Sequence, residues 1–420
     1  MRRFLESVDR VTVRSAVSTE LEAARILASE RKPVLFERVK GYPGARIAGN
    51  LCVSRDLIAE ALGASTGSLV AAIAEALEKP KGYALASDAA FLRNREENPN
   101  VKDILPLLMY YRERGRLYTS ATVVFARDPE SGRQNASFHR MMYLGGNRFA
   151  IRIVPRDLYR FWAVNKAAGS DTPIAVACGL HPAICLAAAT SFPDLNELML
   201  ARAFHRFECL PVNGIDVPAE AEVVMTGRVL HDETADEGPF VDLTGTWDKV
   251  RKEPVVEVDT LYWRDDFIWQ VILPGGREHR LLMGLPQEPR MLRIIRNTSP
   301  GVIAVALTEG GCNWLHAVVA IKKTVEGEGK NVGLAALAAH PSLKMVTVVD
   351  EDIDVTDPVS VEWAVATRLQ PSRGIVVIPD AHGSSIDPSQ GKSGLTGKWI
   401  VDATIPLEAD RRDYARVTAG

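Results

Sequence analysis

The chain has 420 residues, 46 % apolar and 25 % charged, with a formal net charge of −3. That is ordinary globular usage, too long for a single core and too apolar for extended disorder, so two or three domains are expected. Acidic and basic residues are interspersed with no long Lys/Arg block, which argues against nucleic acid or an acidic membrane as the main partner.

In chain order, Thr19 to Glu22 has capping-box spacing and Leu21, Ala24 and Ala28 follow at helical intervals. Residues 33–36 then read as a buried strand. Residues 55–62 form a helix stopped by Gly63, and Leu69, Ile73 and Leu77 mark another helix. Residues 1–110 are therefore a small α/β unit.

From residue 114 the pattern changes. Residues 117–126 are rich in Thr, Val, Tyr and Phe and favour strand, and Asp128 to Gly132 is turn chemistry. Residues 135–144 and 148–154 flank Gly145-Gly146 as a hairpin. Strands follow at 223–230, 255–262 and 267–273, with helices at 158–168 and 195–203. A mostly antiparallel sheet or barrel with inserted helices fits. After residue 300, strands 302–307, 345–349 and 374–378 alternate with helices near 332–339 and 359–368, a βαβ pattern. Residues 379–398 are rich in Gly, Ser, Pro and Asp and read as a long loop.

The five cysteines, Cys52, Cys178, Cys185, Cys209 and Cys312, are odd in number and lack C-x-x-C spacing. A reducing, cytoplasmic setting explains this better than disulfides or zinc, and Cys178 and Cys185 sit in an alanine-rich, structural context. The first ten residues carry no apolar run long enough for a signal peptide, and no stretch of about 18 uncharged apolar residues appears, so no membrane span is expected.

Three polar clusters interrupt apolar, strand-like sequence: Asn135-Ala-Ser-Phe-His-Arg140, Val217-Pro-Ala-Glu-Ala-Glu222 and Pro274-Gly-Gly-Arg-Glu278-His279. An amide and a carboxylate are hard oxygen ligands suited to Mg²⁺ or Mn²⁺. Arg140, set among Phe138, Met141, Met142 and Tyr143, needs a partner, and an arginine there can hold an anionic substrate. Glu278, in an apolar surround, would have its pKa raised and could donate a proton near neutrality. Each cluster also has a bland reading: a surface hairpin, an edge charge on a strand, and a charged turn. Gly391-Lys392-Ser393 ends like a phosphate loop, but Ile386 stands where its first glycine belongs. Asp350, Asp352 and Asp354 alternate like a calcium loop, but Val355 holds the glycine position.

The long-range blocks Phe36-Glu-Arg-Val-Lys-Gly-Tyr-Pro43, Gly49-Asn-Leu51, Val349-Asp-Glu-Asp-Ile-Asp354, Trp363-Ala-Val-Ala-Thr-Arg368 and Gly397-Lys-Trp-Ile-Val-Asp-Ala-Thr404, in this order, resemble the UbiD-like family of prenylated-FMN-dependent decarboxylases. The resemblance implies an α/β (α+β) fold of three parts. These are an N-terminal α/β domain (1–110), a central split-β-barrel flavin domain with inserted helices (111–300), and a C-terminal α/β domain with an oligomerisation tail (301–420).

It implies Asn135 and Glu222 as ligands of Mn²⁺, with K⁺ as a further candidate ion. Phe138, His139, Arg140, Arg152, Ile153 and Val154 would line the flavin, Lys398 would reach its phosphate, and Arg140 and Glu278 would be catalytic. Two positions depart from the family pattern: Pro155-Arg156-Asp157 replaces a histidine ligand, with Asp157 as substitute, and Leu273 replaces a second acid.

The implied reaction is non-oxidative decarboxylation of an unsaturated acid. The compact length is similar to archaeal members that convert trans-anhydromevalonate 5-phosphate to isopentenyl phosphate in a modified mevalonate pathway. Arg148, Arg277 and Arg280 are candidates for holding the substrate phosphate. The implied partners are a flavin prenyltransferase for cofactor supply and further copies of this chain, as a homodimer or homohexamer. Alternatives are an aromatic-acid decarboxylase of the 4-hydroxybenzoate type, a split-barrel flavin reductase, and a non-catalytic subunit.

Overall fold

The structure, a computed structural model, describes residues 1–417 apart from Arg114, Pro193 and Lys392. Lys392 of the discarded phosphate-loop reading and the last three residues of the C-terminal domain lie outside the described residues. The chain divides into two units, Met1–Leu282 and Met283–Gly420.

A ten-stranded sheet organises the first unit. Its order is Leu108–Met109, Leu117–Thr119, Met141–Gly145, Arg148–Ile151, Arg251–Trp263, Val223–Glu237, Thr172–Cys178, Val123–Arg127 and Gln134–Phe138, with Asn94–Glu97 pairing off Arg251–Trp263. Gln134–Phe138 ends this order and Met141–Gly145 lies near its beginning, yet only His139 and Arg140 join them. Three Cα–Cα steps span at most about 11 Å, whereas six strand spacings in a flat sheet would span about 29 Å. The sheet therefore curls until its two ends approach, and His139-Arg140 crosses the seam. The expected single run 135–144 breaks there, and the expected strand 117–126 breaks at Ser120.

The curled sheet encloses a core that includes Phe149, Phe161, Met225 and Val256. The helix Asp157–Ala167 contributes Leu158, Phe161 and Trp162 to it. A second sheet of the same unit runs Val11–Val13, Val34–Phe36, Arg46–Gly49 and Ile268–Val271. Ile268–Val271, expected within the middle domain, pairs in parallel with Arg46–Gly49, so the N-terminal layer is completed by a segment more than 200 residues later. Thr19 does not cap the first long helix. Glu22–Ser29 starts after Leu21, at φ 65, and the Glu22 carboxylate takes the Ser18 N–H. The helix Arg55–Leu62 ends on Gly63 at φ 66, as its sequence requires.

The second unit holds a five-stranded sheet in the order Val302–Leu307, His316–Ile321, Met345–Asp350, Leu395–Asp402 and Ile375–His382. The segment expected as a loop up to residue 398 thus supplies an interior strand. Its exposed and buried residues alternate from Leu395 to Ile400, a period-2 signal masked by Gly397 and Lys398. Two strands and a helix missing from the sequence reading, Thr172–Cys178, His316–Ile321 and Pro182–Ala189, are almost wholly apolar and buried. Such runs have no amphipathic period to detect. All five cysteines are free, four of them buried. Among the described residues no single helix is long and apolar enough to cross a membrane.

Candidate active site

At the seam two adjacent segments leave the ladder together. Gln134–Phe138 ends before His139, and Arg148–Ile151 ends before Arg152, whose N–H donates to the Arg140 carbonyl at 3.2 Å. His139 is buried, and burial pulls its pKa down to about 4, so the ring is neutral at pH 7. Its Nδ1 lies 2.9 Å from the Arg152 carbonyl. A carbonyl can only accept, so Nδ1 carries the proton and Nε2 faces the Ser137 hydroxyl at 2.9 Å. Val154, just beyond, is exposed. A broken ladder with an exposed apolar residue beside it gives a flat ligand both backbone polar groups and a surface to lie on, so these residues fit a flavin.

Arg140 emerges from the same break. Its Nε and Nη2 donate to the two carboxylate oxygens of Glu237, each at 2.9 Å, and Nη2 also meets Asp248 at 3.0 Å. Asp242 is 3.5 Å away, and the Phe240 ring lies 4.3 Å from the guanidinium carbon. Burial alone would lower the Arg140 pKa, but the bonds to Glu237 and the charges of Asp242 and Asp248 raise it. Glu237 is fully buried and also accepts from the Tyr118 hydroxyl at 3.1 Å.

Glu278 is elsewhere. Its two oxygens accept the N–H groups of Asn50 and Cys52, each at 2.8 Å, at the start of the helix Arg277–Gly284. The expected desolvation is present: burial pushes its carboxyl up to about 7, against the opposing pull of the Cys52, Asn50 and Leu51 amides. Its partners are backbone groups of the N-terminal layer. The carboxylate that meets Arg140 is Glu237.

Asn135 donates its amide to Glu197 Oε1 at 2.8 Å, and the Ala136 N–H reaches Glu197 Oε2 at 2.9 Å. Burial pushes the Glu197 carboxyl up to about 8, with Asp157 adding to the rise and Arg133 opposing it. Asp157 pairs with Arg133 at 2.9 Å. Asn135, Glu197 and Asp157 therefore form one oxygen-rich neighbourhood.

Glu222 does not belong to it. Asn135 lies opposite Ala126, Ala126 opposite Ile174, and Ile174 opposite Gly227, while Glu222 precedes Gly227 by five residues. Three strands across and five residues along amount to roughly 20 Å measured on the sheet. Glu222 is instead clasped by Arg2, whose Nε and Nη2 donate at 2.7 and 2.6 Å. Asn135 and Glu222 are thus too far apart to share an ion, and the carboxylate beside Asn135 is Glu197.

An amide oxygen, a buried carboxylate that burial holds toward its protonated form, and a nearby second carboxylate are a chemically apt donor set for a hard divalent cation. Among the described residues no three His, Cys, Asp or Glu side chains gather at metal-ligand spacing.

Lys398 lies in the second unit on the strand Leu395–Asp402, donates to the Pro341 carbonyl at 2.5 Å, and has its pKa lowered by burial. Of the proposed phosphate ligands, Arg148 pairs with Glu233 and Arg280 donates to the Leu243 carbonyl at 2.8 Å. Arg277 opens the helix Arg277–Gly284.

The sequence reading missed Glu197, Glu237 and Asp248. Glu197 follows Asn196, the helix N-cap, and looks like an ordinary first-turn acid. Glu237 ends the acidic run Asp232-Glu-Thr-Ala-Asp-Glu237 before Gly238-Pro239; the run reads as a turn, although the strand continues through it to Glu237. An acid placed directly before Gly-Pro-Phe was the signal available for it.

A curled sheet whose seam carries a buried Arg–Glu pair and an oxygen-donor cluster is the frame of a cofactor-dependent enzyme. Residues 4–77, 84–277 and 280–403 match, respectively, the N-terminal, Rift-related and C-terminal domains of 3-octaprenyl-4-hydroxybenzoate carboxy-lyase. The chain belongs to this UbiD family of carboxy-lyases. It is 46 % identical to an anhydromevalonate phosphate decarboxylase of Methanothermobacter thermautotrophicus, covering 100 % of this chain and 99 % of that protein. A protein of the same name from Methanocaldococcus jannaschii is 40 % identical over 99 % of both chains. The UbiD-class enzyme HmfF of Pelotomaculum thermopropionicum, solved with FMN, superposes at TM-score 0.96 with 34 % identity, covering 100 % of this chain and 97 % of that one. An evolved dimeric form solved with prenylated FMN gives TM-score 0.90 at 32 % identity, covering 100 % and 96 %.

Proposed function

We propose that this chain decarboxylates trans-anhydromevalonate 5-phosphate, releasing CO₂ and isopentenyl phosphate, with prenylated FMN and Mn²⁺ as cofactors. The observation that carries the reading is 46 % identity over the whole chain to a relative named for that substrate. When bound, prenylated FMN supplies an electron sink for the departing carboxylate. Phe138, His139, Arg152, Ile153 and Val154 line its seat on the seam, and Asn135, Glu197 and Asp157 hold the ion beside it. Arg140, fixed by Glu237 and Asp248, orients the anionic substrate, and Glu237, ionised while paired with Arg140, takes a proton from water and passes it to the carbon that CO₂ leaves. Glu278 fastens the loop Asn50–Cys52 rather than acting on substrate. A flavin prenyltransferase supplies the cofactor, and the chain assembles as a homo-oligomer.

A second reading is an aromatic acid substrate, since a phenolic acid decarboxylase of Bacillus subtilis is 30 % identical over 98 % of this chain. Protein produced with a flavin prenyltransferase separates the two. CO₂ release from the phosphorylated acid and none from 4-hydroxybenzoate supports the first reading, and the reverse pattern supports the second.

A further inference from the structure

Beside the Arg140–Glu237 pair lies a shallow, half-open pocket whose walls include Tyr111, Tyr118, Phe240 and Trp247. Two of these walls touch the catalytic pair directly: Tyr118 through its hydroxyl on Glu237, and Phe240 under the Arg140 guanidinium. The rings brace each other, Tyr118 against Phe240 at 4.9 Å between centroids and Tyr111 against Trp247 at 5.8 Å, both edge to face. Tyr111 is pinned further by its hydroxyl on the Pro274 carbonyl at 2.6 Å. The pocket thus has a braced aromatic wall that adjoins the Arg140–Glu237 pair.

One basic side chain, Arg116, stands among the lining residues. It is exposed, and among the described residues it has no hydrogen bond or ion pair. Three other arginines of the site are committed: Arg140 to Glu237, Arg251 to Asp248, and Arg280 to Leu243. An uncommitted guanidinium in an aromatic pocket has no role in binding an acid whose remainder is neutral. It suits a substrate with an apolar middle and a second anionic end.

We infer that Arg116 binds the phosphate of the substrate and is the residue that selects a phosphorylated acid over its unphosphorylated counterpart. This rests on the proposed decarboxylation of a phosphorylated acid, and deepens it by assigning the group that reads the phosphate. A guanidinium presents a planar fork of donors to phosphate, and a charge-assisted contact of this kind contributes enough to change affinity tenfold or more.

The test compares reconstituted wild type with Arg116→Ala, Arg116→Gln and Arg116→Lys on the phosphorylated acid and on the corresponding free alcohol acid. Arg116→Ala and Arg116→Gln are expected to raise KM for the phosphorylated acid roughly 10- to 100-fold with kcat little changed. Arg116→Lys should recover part of the loss, and KM for the alcohol acid should stay at its wild-type value in every variant. If wild type turns over the phosphorylated acid and the Ala and Gln variants keep its KM, the assignment of Arg116 is wrong while the function stands. Equal wild-type KM values for the two acids overturn the selection itself. No CO₂ from the phosphorylated acid with wild type removes the functional reading and this inference together.

Discussion

Arg140 and Glu237 lie 97 residues apart in the chain, yet their side chains meet through two parallel hydrogen bonds of 2.9 Å. Glu237 is fully buried, so its charge is balanced chiefly by this contact and by the Tyr118 hydroxyl. Replacing Glu237 with Gln keeps the shape and removes the proton carrier. It should lower kcat by about 10²- to 10⁴-fold with flavin still bound, read from CO₂ release and the visible spectrum. Arg140→Ala should also abolish turnover, and in addition cost about 3–5 kcal/mol of stability, because it strands a buried carboxylate. Wild-type kcat in Glu237→Gln would exclude it as the proton donor.

The ion site makes a separate prediction, because two carboxylates compete for the role. Asn135→Ala and Glu197→Gln should each weaken Mn²⁺ binding at least about tenfold, measured by titration of the free protein against the Mn²⁺ paramagnetic resonance signal. Glu222→Gln should leave that affinity unchanged. It should instead lower stability by about 1–3 kcal/mol, since Arg2 loses a bidentate acceptor. The opposite pattern, with Glu222→Gln losing the metal, would restore the pairing read from sequence.

These two assignments show what the sequence made legible. Elements with a clear period and a stop signal, such as Arg55–Leu62 before Gly63, match their expected bounds. The polar segment Asn135 to Arg140 is indeed where the sheet opens, because residues unsuited to a strand interior collect where pairing ends. The partners of those residues were not legible. Which carboxylate meets Arg140 depends on how far the strand Val223–Glu237 runs past Leu230, and the exposed Asp232 and Glu233 hide that continuation. Glu222 and Glu278 stood out because each lies in a short polar cluster that interrupts apolar sequence. Both are buried, one under Arg2 and the other against the amides of Asn50 and Cys52.

Gly284, the last residue of the helix Arg277–Gly284, makes a prediction within the second unit. A Cβ added there would fall 2.2 Å from the Asn313 carbonyl oxygen and 2.8 Å from its Cβ. Asn313 cannot retreat easily, since its φ is already 50°, its N–H donates to Thr308 at 2.8 Å, and its amide donates to the Leu307 carbonyl at 2.8 Å. Gly284→Ala should therefore cost about 1–3 kcal/mol, seen as a lower denaturant midpoint. Gly310→Ala, where an added Cβ meets nothing within 4 Å, is the control and should be close to neutral.

Glu278 gives a pH dependence with a definite sign. Its carboxyl titrates at about 7 in the folded chain, raised chiefly by burial, against about 4.3 in an unfolded one. Between those values the folded form keeps a proton that the unfolded form has released, so raising the pH withdraws stability. The loss begins near pH 4.3, is complete above pH 7, and amounts to about 4 kcal/mol. Glu278→Gln cannot titrate, and one amide oxygen replaces two acceptors for the Asn50 and Cys52 N–H groups. The variant should be less stable than wild type at pH 4.5 and should regain ground steadily as the pH rises to 8, followed by urea midpoints at each pH. A stability difference that stays constant across that range would mean the Glu278 carboxyl is ionised throughout, held by the amides more strongly than burial opposes it.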